Sequence, residues 1–280
     1  MDAFERRKLA NRVVLFLSTM AALFGILWLI WILGTLLYKG MSSLSWEAIV
    51  GSPPSPSDET GGLRHAIIGQ ALIVSLAVVI GVPIGVLAGT FLSEYGKGSR
   101  IANIARDISD ILMSVPSIVI GTFVYAIMVE PLGHFMGISG SVALAIMMLP
   151  IIVRTTDDML NMVPRELREA GYALGATKSK VITSVVFKSA MTGIITGIIL
   201  AVARIGGETA PLLFTSFNNN FLTYDITQPM ASLTVTMYDY AMSPYDYWQK
   251  LAWAAAIILT AGVLSLNLLG RAFARWKFKK

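Results

Sequence analysis

The sequence predicts an all-α, polytopic membrane protein with six transmembrane helices and both termini in the cytoplasm. Three observations predict it. The 280 residues are 55% hydrophobic, with mean hydropathy +0.68 and 14% charged, where a soluble domain carries about 25% charged residues. Six uncharged stretches approach or exceed the roughly 20 residues that cross hydrocarbon as a helix. Lysine and arginine concentrate in alternate loops.

The stretches are 13–38, 66–93, 111–129, 131–153, 189–203 (continuing across a charged pair to 214) and 251–270. The first follows a basic segment but is too long for a secretory signal core, so a retained span is expected. The second repeats Gly81, Gly85 and Gly89, a spacing that clears one helix face for close approach of another helix. Pro83 in the second and Pro116 in the third remove backbone donors and can kink a helix. Asp107 and Asp110 are read as interfacial, where the third span meets the cytoplasm. The fourth stretch is the weakest, interrupted by Gly133, Gly137, Gly140 and Pro150. Methionines such as Met147 and Met148 are read as adaptable packing.

Orientation follows from the cations. Four precede the first span, three (Lys97, Arg100, Arg106) lie between the second and third, six between the fourth and fifth, and five follow the sixth. The opposite side holds Lys39, Arg64 and Lys250. Eighteen against three places both termini inside. The net charge of +5 therefore reflects topology, and no nucleic-acid partner is expected. Of the outer loops, 51–62, with its Ser-Pro-Pro-Ser-Pro-Ser run, reads as an exposed connector. Loop 214–250 is rich in tyrosine, tryptophan and asparagine; it reads as a membrane-interface belt or as a surface for an external partner.

The chain has no cysteine, which excludes disulfides, thiolate metal sites and thiol catalysis. His65 and His134, near span ends, read as interfacial polar residues, and no metal site is expected. The charged pair in the fifth stretch is Arg204 and Glu208, four residues apart, so a continuous helix would place both on one face. A charge at mid-bilayer depth costs about 2.5–3.5 kcal/mol even on the lenient insertion scale. The pair marks either a route for an ion or polar solute or a structural ion pair between helices. Thr209, beside it, is a further hydroxyl donor or a residue bonding back to its own helix.

The inner loop 157–190 looks organised. Pro164 suits a first helical turn, Glu166 and Glu169 favour the positive dipole end, and Gly175 suits a left-handed C-terminal cap. A short helix over 164–174 is expected, with Arg165 and Arg168 available to headgroups if it rests on the membrane.

The segment Glu169-Ala170-Gly171-Tyr172-Ala173-Leu174-Gly175 resembles the EAA loop of bacterial ABC importer permeases, which docks into a groove on a cytoplasmic ATPase. The departures are Gly171 in place of the usual alanine, and Lys188 where a proline is common. The segment Ala203-Arg204-Ile205-Gly206-Gly207-Glu208-Thr209-Ala210-Pro211-Leu212-Leu213-Phe214-Thr215, with Ala241-Met242-Ser243-Pro244 downstream, is similar to the signature of phosphate-importer permeases of the PstA type. The resemblance spans about 66–271. It divides the chain into 1–65 (tail, first span and external loop), a core over 66–271 with the coupling loop at 157–190, and a basic tail over 272–280.

The resemblance implies a type I ABC importer permease fold and a non-catalytic conduit that moves phosphate by alternating access. It implies three partners besides membrane lipid. These are a homologous second permease (PstC type), a dimeric ATPase (PstB type) holding the ATP and magnesium, and an external phosphate-binding protein (PstS type). It assigns Glu169, Ala170 and Gly175 to ATPase docking. Arg204, Glu208 and Thr209 fall on the substrate path, and a guanidinium's planar fork suits phosphate oxygens. Sulfate or molybdate is the alternative cargo. A secondary transporter or channel would explain the pair without an ATPase, but internal repeats, common in that class, are not found. A membrane-embedded enzyme would need a cluster of catalytic groups. No G-x-x-x-x-G-K-S/T loop is present, Gly96-Lys97-Gly98 being the nearest look-alike, and no His-Glu-x-x-His or Gly-x-Ser-x-Gly.

Overall fold

Hydrocarbon offers backbone groups no partner, so a spanning chain must satisfy them within helices or a closed barrel. The computed structural model describes residues 3–56, 59–96 and 98–278, and among them there are helices and connectors but no strand. Ser57, Lys97, Lys279 and Lys280, counted above, lie outside the described residues, as do the side chains of Arg275 and Lys277 in the basic tail.

Helix α1 (Ala3–Ser43) is followed by a one-turn helix α2 (Trp46–Val50), capped by the Ser45 hydroxyl, which accepts from the Ala48 N–H. Helix α3 (Arg64–Thr90) runs on into a π-turn at Phe91–Tyr95. Then come α4 (Arg100–Ser114) and α5 (Ser117–Val124), the latter passing through a π-turn into α6 (Glu130–Leu132). Helix α7 spans Gly137–Asn161, and α8 spans Arg165–Ala173. Helix α9 (Lys178–Val181) continues through a π-turn into α10 (Phe187–Gly206). The chain ends with α11 (Ala210–Thr215), α12 (Leu233–Ala241) and α13 (Asp246–Phe278). Five of these segments are long and apolar enough to span: Ala3–Ser43, Arg64–Glu94, Gly137–Asn161, Lys178–Gly206 and Asp246–Ala272.

The expected third span, 111–129, is not one straight helix. Arg100–Ser114 and Ser117–Leu132 meet at 105°. The cause is Pro116, which lacks an N–H and forces its predecessor out of helical space; Val115 and Pro116 are both extended. The expected fourth span, 131–153, is also displaced. Gly133, at φ +74°, closes α6, so α7 starts only at Gly137. Polar residues past 153 do not end α7, because they find partners inside the protein: Asp157 meets Arg106, and Arg154 lies between Asp110 and Asp158.

Helix α7 is the axis of the bundle. In its most apolar stretch 67% of residues are buried, against 0% for α1. Helix α3 lies along α7 with Gly81, Gly85 and Gly89 turned toward it. A Cβ at those positions would meet Met148, Ile152, and Thr156 with the Val153 carbonyl, at 2.6–2.8 Å. The core between these helices and α10–α12 contains Ile73, Leu144, Met148, Ile205, Leu212 and Met230. Helix α1 is peripheral and touches α13 at Gly40, beside Trp253 and Ile257.

Loop 214–250 keeps several of its aromatic residues exposed, among them Phe221 and Tyr224, but its middle folds inward. Residues 230–236 are buried throughout. The Ala231 carbonyl packs against Gly69, where any side chain would collide with it. The Gln228 and Ile226 carbonyls accept from the Gly137 and Ile138 N–H groups, opening α7. His65, at the start of α3, is buried in the protein (3% exposed), whereas His134 is exposed beside the Leu132 carbonyl.

Candidate functional site

The apolar run 189–214 is not one helix. Helix α10 stops at Gly206, and the Gly207 and Glu208 N–H groups bond back to the Arg204 and Ile205 carbonyls at 3.2 and 3.3 Å. Helix α11 restarts at Ala210, with Pro211 in its first turn where a missing N–H is harmless. Arg204 therefore sits on the last turn of α10, and Glu208 lies in the break rather than on the same helix face.

Several of the open backbone groups around the break have partners. Gln70 Nε2 donates to the Gly206 carbonyl at 3.1 Å, and its Oε1 accepts from the Leu233 N–H at 3.1 Å. Thr234 Oγ1 donates to the Glu208 carbonyl at 3.0 Å. The Thr209 carbonyl accepts from the Leu212 and Leu213 N–H groups. The inward fold of 230–236 thus clamps the chain beside the charged pair.

The pair itself is loose. Arg204 Nε lies 3.7 Å from Glu208 Oε1, beyond hydrogen-bond reach, with the arginine side chain 53% exposed and the glutamate 19%. Arg204 borders a small cleft of about 80 Å³ with Leu112, Met113, Val115, Ile120, Met147 and Ile151. These walls come from both arms of the α4–α5 bend and from α7. The guanidinium is half-exposed among apolar walls, and its fork of donors has the geometry that suits oxyanions in general. Thr209 is not brought to this cleft. It borders a different cavity of about 610 Å³, with Lys39, Met237, Tyr238, Gln249 and Trp253.

The second candidate surface is α8. Pro164 precedes it, and its end is a Schellman turn: Gly175, at φ +79°, donates to the Tyr172 carbonyl, and Ala176 donates to that of Gly171. Glu169, Ala170 and Gly175 face solvent, next to Leu174, which is 89% exposed. Lys178, just beyond, lies 4.0 Å above the Tyr95 ring. Arg168 does not reach outward to headgroups; it turns inward with 10% of its side chain exposed.

Sequence reasoning missed Gln70 and the buried charges Glu94, Asp157 and Arg168. Gln70 had a visible signal as the one amide in the run 66–93. Pairing across 51 to 74 residues, as in Arg106–Asp157 and Glu94–Arg168, has no local signal.

The broken span, the long central helix and the other long apolar helices define a polytopic membrane protein. Comparison with known proteins specifies the class. Residues 81–279 match the family described as binding-protein-dependent transport system inner membrane component. The phosphate transport system permease protein PstA of Pasteurella multocida (strain Pm70) is 49% identical over 276 residues, covering 99% of this chain and 98% of that protein. The PstA of Haemophilus influenzae is 50% identical over 274 residues, covering 98% and 97%. A solved bacterial alginate ABC transporter, in complex with an alginate pentasaccharide-bound periplasmic protein, shares the fold with TM-score 0.69 at 13% identity, over 98% of both chains. The chain belongs to the binding-protein-dependent transport inner-membrane components, within the phosphate transport system permeases, and is a multi-pass inner-membrane protein.

Proposed function

We propose that the chain is one membrane-spanning half of an ATP-driven importer and passes inorganic phosphate across the inner membrane by alternating access. One observation of the site supports the role: Arg204 keeps free donors in a small apolar cleft at the broken end of α10. The cargo is taken from relatives at 49–50% identity named as phosphate transport permeases. Arg204 contacts the anion. Glu208 stays within 3.7 Å and receives the guanidinium when the anion leaves, which keeps residence short, as conduction requires. Thr209, on the neighbouring cavity, serves the break through its carbonyl rather than the anion.

The chain hydrolyses nothing itself. ATP and magnesium belong to a dimeric ATPase (PstB type), against which α8 docks through Glu169, Ala170 and the turn at Gly175. A second permease (PstC type) completes the path, and an external phosphate-binding protein (PstS type) delivers the ion. The cation bias supports a cytoplasmic side for α8 and both termini.

The test is Arg204→Gln in the assembled transporter. Uptake of labelled phosphate is expected to vanish while assembly and ATP hydrolysis persist. Normal uptake by that variant would end the assignment. Uptake of sulfate in preference to phosphate by the parent would replace the cargo while leaving the arginine's role in place.

A further inference from the structure

Helix α8 is tied to the bundle by charges that docking does not use. Arg168 donates from Nη1 to the Val163 carbonyl at 2.5 Å, and from Nη2 to the Leu160 carbonyl and Glu94 Oε1, each at 2.7 Å. It thereby closes the open carbonyls at the end of α7 and pairs with the π-turn that ends α3. The pair is nearly dry, with side chains 10% and 5% exposed. Glu94 adjoins Ser93, whose hydroxyl donates to Asn161 Oδ1 at 3.2 Å. Asn161 donates to Asp157 Oδ1 at 2.8 Å, and Asp157 holds Arg106 Nε at 2.7 Å with 3% of the carboxylate side chain exposed. Arg106 also donates to the Leu92 carbonyl at 2.9 Å. Two cations and two anions thus form one continuous path from α8 to α4. Leu112 and Met113 lie in the last turn of α4, which closes at Ser114, and Val115 follows; Leu112, Met113 and Val115 wall the Arg204 cleft.

We propose that Glu94, Asp157, Arg106 and Arg168 are positioning residues that carry the displacement of α8 to α4 and so set the width of the cleft beside Arg204. The proposal rests on the reading of α8 as the ATPase-docking helix. The physical reason is the cost of separation. Parting either pair would leave its nearly buried carboxylate uncompensated away from water. When α8 moves, keeping the pairs intact and moving α4 is therefore the lower-energy response. The headgroup-facing arginine that the sequence suggests would transmit nothing.

The cysteine-free chain permits a direct test in the complete transporter, reconstituted in vesicles with partners stripped of reactive cysteine. Spin-label pairs Arg165→Cys with Leu264→Cys, and Ile111→Cys with Leu264→Cys, report α8 and α4 against α13. In the parent, both distances should change on trapping with ATP. In Glu94→Gln, the α8 change and ATP hydrolysis should persist, the α4 change should disappear, and phosphate moved per ATP should fall roughly tenfold or more, within the usual range of inter-site coupling. Asp157→Asn, the second joint of the same series, should behave alike. The double variant should be no worse than either single one. An α4 change retained in both single variants with the coupling ratio intact would overturn the relay, as would losses that add in the double variant. An α8 helix that ignores ATP in the parent would instead overturn the docking assignment on which the relay depends.

Discussion

Gln70 Nε2 donates to the Gly206 carbonyl at 3.1 Å, across 136 residues of chain, and closes the end of α10 two residues past Arg204. The same amide's oxygen holds Leu233, the first residue of α12. One side chain thus ties the second span both to the end of α10, where the break that carries the charged pair begins, and to the start of α12.

Gln70→Leu leaves a buried carbonyl and a buried N–H without partners, at about 1–3 kcal/mol for each orphaned group. The solubilised chain should melt at lower temperature, and phosphate uptake should fall even though Arg204 is present. Unchanged melting and uptake would show that the bridge is dispensable.

Gly175 tests conformation rather than space. Its φ is +79°, and nothing lies within 4 Å of where a Cβ would stand. Left-handed backbone costs a residue with a Cβ roughly 1–2 kcal/mol, and asparagine tolerates it best. The expected order of ATPase binding is Gly175, then Asn, then Ala, then Val, read by co-purification of the ATPase. Equal binding by all four would remove the turn from docking.

Gly89 tests space rather than conformation. A Cβ there would stand 2.6 Å from the Val153 carbonyl, a backbone atom that cannot swing aside. Gly89→Val should destabilise by about 1–3 kcal/mol, as overpacking does. Gly34→Val, on α1 where no atom lies within 4 Å, should leave the melting temperature unchanged. The comparison is made by thermal unfolding of the two variants side by side.

Asp239, on α12, receives a hydrogen bond from Asn218 Nδ2 at 2.8 Å. Burial pushes its carboxyl above the usual carboxylate range, partly offset by that bond. The folded state therefore holds its proton more tightly than the unfolded chain. The resulting stability is full below the ordinary carboxylate pKa and is lost as pH rises through the raised value. Asp239→Asn keeps an acceptor for Asn218 and carries no charge. The variant should flatten the fall in melting temperature between acid and neutral pH; an identical pH profile in parent and variant would contradict this.

Legibility in the sequence followed the range of the interactions. The span of α8 is punctuated by Pro164 and Gly175, both local rules, and 164–174 was expected where 165–173 is found. The long apolar spans were equally plain. The ends of α7 were not, because Asp157 and Arg154 look like loop residues until their partners arrive from elsewhere in the chain. The spacing of Arg204 and Glu208 was legible, but their placement across a break was not, although Gly206, Gly207 and Pro211 together marked one. The inward fold of 230–236 had no periodic signal; its hydroxyls and short apolar residues suit a buried turn only once Gln70 and Gly69 stand beside them.

The three small residues at 81, 85 and 89 leave no compressible layer where α3 meets α7. Sliding one helix past the other would drive methionine, isoleucine or threonine side chains into backbone, and packed protein does not deform continuously. These two helices must therefore travel as a single keel. The proline bend of 115–116 and the double-glycine joint of 206–207 lie outside that rigid contact, and those two joints flank the arginine.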